Sequence, residues 1–115
     1  MTSRPPVYLF SYGTLQMPQV QISQFGRLLA GKPDILPGYR KAMVEISDPS
    51  VIAASGERFH PILLRTGLEL DEVNGTVFEI TAEELAAADA YEVSDYRRVA
   101  LRLRSGLEAW VYVKA

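Results

Sequence analysis

The sequence predicts a single domain of the α+β class over residues 1–115, a small mixed β-barrel of about six strands with two flanking helices. Three observations predict it. The chain has 115 residues and is 48% hydrophobic, which suits one core and leaves no room for a second. Segments typical of strands occupy most of the chain, and two segments with helical signals interrupt them. A short turn joins the last two strand-like segments, which is typical of an antiparallel pair.

The chain begins with an apolar strand and continues into a helix. Residues 7–12 (VYLFSY) are apolar, aromatic or small and are followed by Gly13, which predicts a central strand covered on both faces. The predicted helix opens at Pro18 and ends near Gly31. Its apolar face is formed by Ile22, Phe25 and Leu29.

The middle of the chain predicts strands and turns. Residues 37–46 predict a turn that leads into a partly buried strand. Residues 47–61 carry several turn-forming pairs and predict a surface loop with at most one short strand. Residues 62–64 and 73–80 predict two further strands, both in the same sheet.

The last third of the chain has the sharpest local signals. Thr81 followed by Glu84 forms a capping box, so a helix is predicted to start at Thr81 and to run through the alanine-rich segment after it. Residues 96–104 alternate between apolar and basic side chains. A Ser-Gly turn at 105–106 connects them to the apolar strand 107–113, which predicts a hairpin.

Composition excludes several classes of function. Twelve Lys and Arg residues stand against fourteen Asp and Glu, a net charge of −2, so neither nucleic acid nor an anionic membrane is expected as a partner. The chain has no Cys, which excludes disulfides and thiolate nucleophiles and favours a cytoplasmic location. His60 is the only histidine, so a site that needs two imidazoles is excluded. We expect neither a signal peptide nor a membrane span.

Glu92 is the first candidate for a catalytic residue. On a helix that continues to this position, Leu85, Ala88 and Glu92 share the face directed at the core. An inward carboxyl is costly to desolvate, and its raised pKa suits a general base near neutral pH. The alternative is that the helix ends before Glu92, which then caps it at the surface or pairs with Arg97 or Arg98.

The end of the first strand is the second candidate. A buried strand that stops at Gly13 exposes successive backbone N–H groups, which bind a carboxylate or a developing oxyanion without a charged side chain. The alternative is an ordinary turn in which Gly13 supplies an unusual backbone conformation. Both interpretations fit this segment taken alone.

Taken together, the motifs of this chain resemble those of the γ-glutamylcyclotransferase-like family, also called AIG2-like. The resemblance covers nearly the whole chain. The motifs that carry it are Tyr-Gly-Thr-Leu at 12–15, Gly-Thr-Val-Phe at 75–78, Ala-Asp-Ala-Tyr-Glu at 88–92 and Tyr-Arg-Arg-Val at 96–99.

This resemblance implies an enzyme that releases 5-oxoproline and an amine from a small-molecule γ-glutamyl amine or peptide, with no metal or other cofactor. It assigns Glu92 as the catalytic acid and base. It assigns Tyr12, Gly13, Thr14 and Leu15 to the substrate loop, where the backbone N–H groups of residues 13–15 bind the glutamyl group.

Three other features complete the analysis. Tyr39, Tyr91 and Tyr96 each carry a hydroxyl that could be donated to the pocket, but aromatic residues at the ends of strands and helices mostly serve packing, and only Tyr96 is kept as the reserve member of the substrate site. The basic run at 97–104 alternates with apolar residues and predicts a solvated strand face rather than nucleic-acid binding. His60, which precedes Pro61 in the predicted loop, is expected to be a surface or hydrogen-bonded residue outside the site.

Two alternative functions fit the same residues. The first is a non-catalytic module, regulatory or otherwise, that binds a small carboxylate on the same fold. The second is an interaction protein that uses the apolar strand at 107–113 as an exposed sheet edge.

Overall fold

A computed structural model describes residues 6–115 of the chain. The described part contains seven strands and three α-helices, which confirms the α+β class. The helices are α1 (Pro18–Phe25), α2 (Pro49–Ser55) and α3 (Ala82–Tyr91). The strands are β1 (Val7–Ser11), β2 (Gly31–Pro37), β3 (Tyr39–Glu45), β4 (Phe59–Arg65), β5 (Glu72–Ile80), β6 (Tyr96–Arg102) and β7 (Glu108–Lys114).

β1 is the central strand of a five-stranded sheet with the order β2-β5-β1-β7-β6, as its unbroken apolar sequence predicts. It runs antiparallel to β5, with Leu9 opposite Phe78, and parallel to β7, with Leu9 opposite Trp110. The chain therefore passes through the middle of the sheet at β1 and leaves it at the end where Gly13 follows.

The two faces of this sheet are covered by different elements. Leu9 packs with buried residues of the three helices, such as Val20 and Ala88. The next residue, Phe10, packs with Leu63 of β4 on the opposite face. Since successive side chains of a strand point to opposite faces, the helices cover one face and the β3–β4 hairpin covers the other.

The strands do not form the predicted barrel. β3 and β4 pair only with each other, so within residues 6–115 the sheet is open and β2 and β6 lie at its edges. The predicted strand at 62–64 belongs to β4 in the two-stranded sheet, whereas the strand at 73–80 belongs to β5, so the expectation that both join one sheet is wrong. β7 lies between β1 and β6. Its backbone is thus paired on both sides, and 107–113 is not an exposed edge.

The helix predicted after Pro18 is shorter than its apolar pattern indicates. α1 ends at Phe25 because Gly26 takes the left-handed conformation, at φ 71°, that closes a helix. Leu29 lies beyond the helix, and Ile22, placed on its apolar face, is 52% exposed. Gly31, the expected helix end, is the first residue of β2, a strand that the sequence did not predict.

The region 47–61, predicted as a surface loop, contains helix α2 and the start of β4. Asp48 is the N-cap of α2, and its side chain accepts a hydrogen bond of 2.9 Å from the backbone N–H of Ser50. Pro49 occupies the first helical turn, and Gly56 closes the helix at φ 74°. The Asp-Pro pair is therefore a helix start rather than a turn.

The helix start and the hairpin predicted for the last third of the chain are confirmed. Thr81 caps α3, and its side chain and that of Glu84 form both hydrogen bonds of the capping box, at 3.0 and 2.9 Å. β6 and β7 form the expected antiparallel hairpin, with Val99 opposite Val111. No helix among residues 6–115 has the length and apolar composition that a membrane span requires.

Candidate functional site

A cavity of about 20 Å³ lies where the end of β1, strand β4 and the segment between α3 and β6 meet. This volume is room for about one water molecule. All six residues predicted for the site line this cavity: Tyr12, Gly13, Thr14, Leu15, Glu92 and Tyr96. Five others complete its wall: Phe10, Ser11, His60, Pro61 and Tyr112.

Glu92 reaches the cavity from the end of α3. The helix ends at Tyr91, and Glu92 is its C-cap, with an extended backbone and its N–H bonded to the carbonyl of Ala88 at 3.0 Å. The helix therefore ends before Glu92, which caps it as the alternative interpretation predicts, but the side chain lines the cavity. Arg98 pairs with Asp89 instead, at 2.9 Å, and within residues 6–115 no ion pair joins Glu92 to an arginine. The alternative of a surface ion pair does not apply.

The surroundings of Glu92 raise the pKa of its carboxyl to about 8. Burial is the main cause, and the negative charge of Asp89 adds to it. A carboxyl with this pKa exchanges its proton close to neutral pH, as a general acid and base does. The group is thus suited to accept a proton from a bound ammonium and to return it.

Tyrosine hydroxyls surround this carboxyl. Burial raises the pKa of four of them, and the negative charge of Glu92 raises each further: Tyr12, Tyr91, Tyr96 and Tyr112. These phenols therefore stay protonated near neutral pH and act as hydrogen-bond donors. The Tyr12 hydroxyl donates to the carbonyl of Tyr112, and the Tyr96 hydroxyl donates to the carbonyl of Pro61 at 2.7 Å. Tyr96 thus connects β6 to β4 across the cavity wall.

The loop after β1 is held through its carbonyl groups. Thr14–Gln16 form one turn of 3-10 helix. The carbonyl of Gly13 accepts from the N–H of Gln16 at 3.1 Å, and that of Thr14 accepts from Met17 at 2.9 Å. The carbonyl of Leu15 accepts from the buried Gln21 side chain, also at 2.9 Å. All three carbonyls are therefore engaged in bonds within the protein.

The N–H groups of the same loop are less engaged. That of Gly13 is 3.4 Å from the Ser11 hydroxyl, a long hydrogen bond. The N–H groups of Thr14 and Leu15 have no acceptor within residues 6–115. They belong to the first turn of a helix, where N–H groups have no intrahelical partner. Two backbone donors thus stay available in a loop that lines the cavity.

Sequence reasoning missed the contribution of His60. The histidine lies in β4 rather than in a turn, is only 3% exposed, and lines the cavity. The expected hydrogen bonding is present, since Nε2 lies 3.1 Å from both the Ser55 hydroxyl and the carbonyl of Glu57. Burial lowers the pKa of the imidazole, so the ring is neutral near pH 7.

The glutamines after the loop were also missed. Gln21 is 4% exposed, and besides its bond to Leu15 it accepts from the N–H of Leu29 at 2.9 Å. Gln16 accepts a hydrogen bond of 2.8 Å from the Thr76 hydroxyl. The only available signal was the density of glutamine in 16–24, which does not indicate which of them is buried.

The basic run follows the predicted pattern of a strand face. Arg98 stacks on Trp110 at 4.3 Å from the ring centroid while it pairs with Asp89. Arg104, just beyond β6, pairs with Glu72 at 3.2 Å. Neither side chain lines the cavity.

A family model described as "Gamma-glutamyl cyclotransferase, AIG2-like" matches residues 9–115. The match includes the loop at 12–15 and Glu92 and covers most of the chain. The search of curated proteins gave no match.

Several solved structures have the same fold. A protein of Arabidopsis thaliana, determined in solution, superposes with a TM-score of 0.73 at 22% identity over 99% of this chain. A structure titled gamma-glutamyl cyclotransferase superposes with a TM-score of 0.72, at 12% sequence identity over 96% of this chain. An AIG2-like protein of Mus musculus superposes with a TM-score of 0.65, at 20% identity over 97% of this chain. This chain spans 65%, 68% and 79% of their lengths, just under two thirds for the Arabidopsis protein. At these identities the likeness shows the fold.

Proposed function

The chain belongs to the gamma-glutamyl cyclotransferase, AIG2-like family, and from this premise we propose that it is an enzyme that releases 5-oxoproline and an amine from a γ-glutamyl amine or peptide. One observation carries the proposal: a carboxyl with a pKa of about 8 and a loop with two unengaged N–H groups line the same cavity. The carboxyl suits proton transfer, and the N–H groups suit the binding of a negatively charged oxygen.

The proposed reaction is an intramolecular aminolysis. The α-amine of the γ-glutamyl group attacks its own γ-carbonyl carbon, a five-membered lactam closes, and the amide bond to the departing nitrogen breaks. Two protons leave the attacking nitrogen, one when the ammonium is neutralised and one as the lactam forms. Two protons arrive at the departing nitrogen, which leaves as an ammonium ion near neutral pH. Atoms and charge therefore balance without a co-reactant.

Glu92 carries the proton transfers in this proposal. Its carboxylate takes a proton from the α-ammonium, which has to be neutral to attack. The same group then gives a proton to the departing nitrogen. A pKa of about 8 lies close to that of an α-amino group, about 8, so transfer between them costs little free energy in either direction.

The loop holds the glutamyl group and stabilises charge on its oxygen atoms. The N–H groups of Thr14 and Leu15 donate to the bound glutamyl group and to the oxyanion that develops at the γ-carbonyl. Because the engaged carbonyls fix the loop before substrate arrives, these donors need little reorganisation. Nucleophile and electrophile belong to one molecule, so holding the folded conformer is the main task of binding.

The test is product release by the purified full chain. A panel of γ-glutamyl amines and peptides is incubated with the protein, and 5-oxoproline is measured by mass spectrometry. Glu92→Gln is expected to lower the rate by about 100-fold or more, the usual worth of a general acid and base. Glu69→Gln, at an exposed carboxyl outside the cavity, is the matched control and is expected to match wild type. Activity that survives Glu92→Gln would remove Glu92 from the mechanism.

The second candidate is a module that binds a small carboxylate without turnover. The unengaged N–H groups of Thr14 and Leu15 favour it, since they bind an anion whether or not a reaction follows. Thermal stabilisation by 5-oxoproline or glutamate, with no product from the whole panel, would support this candidate over the enzyme. The cytoplasmic location and the small-molecule partner expected from the sequence stay predictions.

A further inference from the structure

A hydrogen bond outside the cavity wall joins the two halves of the site. Tyr91 is the last residue of α3 and is 4% exposed. Its hydroxyl lies 2.8 Å from the Thr14 hydroxyl, at the start of the 3-10 turn. Glu92 follows Tyr91 directly. Tyr91 itself does not line the cavity, so its hydroxyl is placed to hold the protein together rather than to meet a ligand.

Ser55, the last residue of α2, makes a separate polar contact behind the cavity wall. Ser55 is fully enclosed, and its hydroxyl is 3.0 Å from the carbonyl of Val51 and 3.1 Å from His60 Nε2. This contact joins α2 to β4, whereas the hydrogen bond between Thr14 and Tyr91 joins the loop to α3.

We propose that Tyr91 is a positioning residue, whose hydroxyl, through its bond to Thr14, sets the separation between the Glu92 carboxyl and the N–H groups of Thr14 and Leu15. The kinetic part of this inference rests on the proposed function. The loop and the helix end are 77 residues apart in sequence, and Thr14 and Tyr91 are the side chains that join them. A misplacement of about 1 Å between reacting groups lowers a rate by about 100-fold.

The kinetic test is a double-mutant cycle. Tyr91→Phe removes only the hydroxyl and is expected to lower kcat/KM by about tenfold or more. Thr14→Val removes the other partner. If Tyr91 acts through Thr14, the double variant is no slower than the slower single variant, whereas independent effects would multiply. Tyr8→Phe is the matched control: Tyr8 is a partly buried tyrosine of β1 whose hydroxyl has no hydrogen-bond partner within residues 6–115.

A second measurement is independent of activity. The N–H groups of Gln16 and Met17 are bonded to the carbonyls of Gly13 and Thr14, so their hydrogen exchange reports the order of the loop. Tyr91→Phe is expected to speed their exchange severalfold while Tyr8→Phe leaves it unchanged.

The two measurements distinguish the possible failures. If wild type releases no 5-oxoproline, the proposed function fails, and faster exchange in Tyr91→Phe still supports the positioning contact. If wild type is active and Tyr91→Phe matches it in both kcat/KM and exchange, the positioning inference alone is overturned. Multiplying losses in the double-mutant cycle would also overturn it, since Tyr91 would then act by a route other than Thr14.

Discussion

Asp89 lies one helical turn before Glu92, and its negative charge adds to burial in raising the pKa of the Glu92 carboxyl. Asp89 is fixed in this place. Arg98 donates two hydrogen bonds to its carboxylate, at 2.9 and 3.0 Å, and the Tyr112 hydroxyl donates a third at 2.7 Å. Because three hydrogen bonds hold the Asp89 carboxylate, it cannot rotate away from Glu92 without breaking them. The repulsion between the two carboxylates therefore persists when the protein fluctuates.

Replacing Asp89 by Asn is expected to lower the pKa of Glu92. The variant removes the neighbouring negative charge and leaves the positive charge of Arg98 without its partner, and both changes favour the ionised carboxyl. The carboxyl signal of Glu92, followed by carbon NMR over a pH titration, measures the effect. Asp71→Asn, distant from the cavity, serves as the control. An unchanged titration in Asp89→Asn would mean that burial alone sets the pKa.

The pH dependence of catalysis follows from the same group. With a Glu92 pKa of about 8, the free enzyme carries a protonated carboxyl below that pH and cannot take the proton of the substrate ammonium. We therefore expect kcat/KM to rise with pH through about 8. In the complex, the bound ammonium favours the ionised carboxyl, so kcat is expected to rise at a lower pH. Initial rates across this range check both, and a kcat/KM that is flat above about pH 5 would contradict the assignment of Glu92.

The same raised pKa affects stability. The carboxyl pKa is about 8 in the folded chain against an ordinary 4.5 in the unfolded chain. Between these values the folded chain holds a proton that the unfolded chain has released, so the free energy of unfolding falls as pH rises and is level above about 8. Glu92→Gln removes this loss of stability. We expect the variant to have a higher free energy of unfolding than wild type at pH 8, and a much smaller difference from wild type at pH 5.

Urea unfolding at the two pH values measures this difference. Each unit of pKa shift is worth about 1.4 kcal/mol, which such experiments resolve. Glu69→Gln, at an exposed carboxyl, is expected to change stability equally at both pH values. If Glu92→Gln behaved in the same way, the Glu92 carboxyl would have an ordinary pKa in the folded chain.

Local signals in the sequence predicted the elements that local contacts determine. The capping box at Thr81 marks the start of α3 because its two hydrogen bonds join residues three apart. The Asp48-Pro49 pair carries an equally local helix signal, yet it also suits a turn, and only the buried position of Val51 against the large sheet decides between them. Strand β2 begins Gly-Lys-Pro, which does not resemble a strand, and it forms because β5 provides a partner.

The candidate site was predictable only in part, for a similar reason. The loop at 12–15 and Glu92 can be found from motifs, but the argument that placed Glu92 inward assumed a longer helix. The structure turns it inward through an extended C-cap. His60 and Pro61 line the cavity because the β3–β4 hairpin packs across the face of the large sheet. The pattern of apolar and polar residues within 59–65 does not predict this packing.

The buried Gln21 offers a test of how the loop is held. Gln21→Met keeps the approximate volume of the side chain but leaves the carbonyl of Leu15 and the N–H of Leu29 without partners. We expect a loss of about 2 kcal/mol in the free energy of unfolding, and faster hydrogen exchange at Gln16. Gln19→Met, at an exposed position of the same helix, is the control. Equal stability of both variants would show that Gln21 is not needed to hold the loop.

Gly75 sets how closely β5 approaches the strand that leads into the loop. A Cβ atom at this position would lie 2.5 Å from the backbone oxygen of Ser11 and 2.6 Å from the Phe10 ring. Because the first contact is with backbone, Gly75→Ala has to push the end of β1 away, and we expect a loss of about 1–3 kcal/mol in the free energy of unfolding. The displaced strand carries Gly13 and the N–H groups behind it, so activity is expected to fall as well. The control is Asn74→Ala, a substitution at the exposed neighbouring position of the same strand. If Gly75→Ala were as stable and as active as this control, the two strands would separate at little cost in free energy.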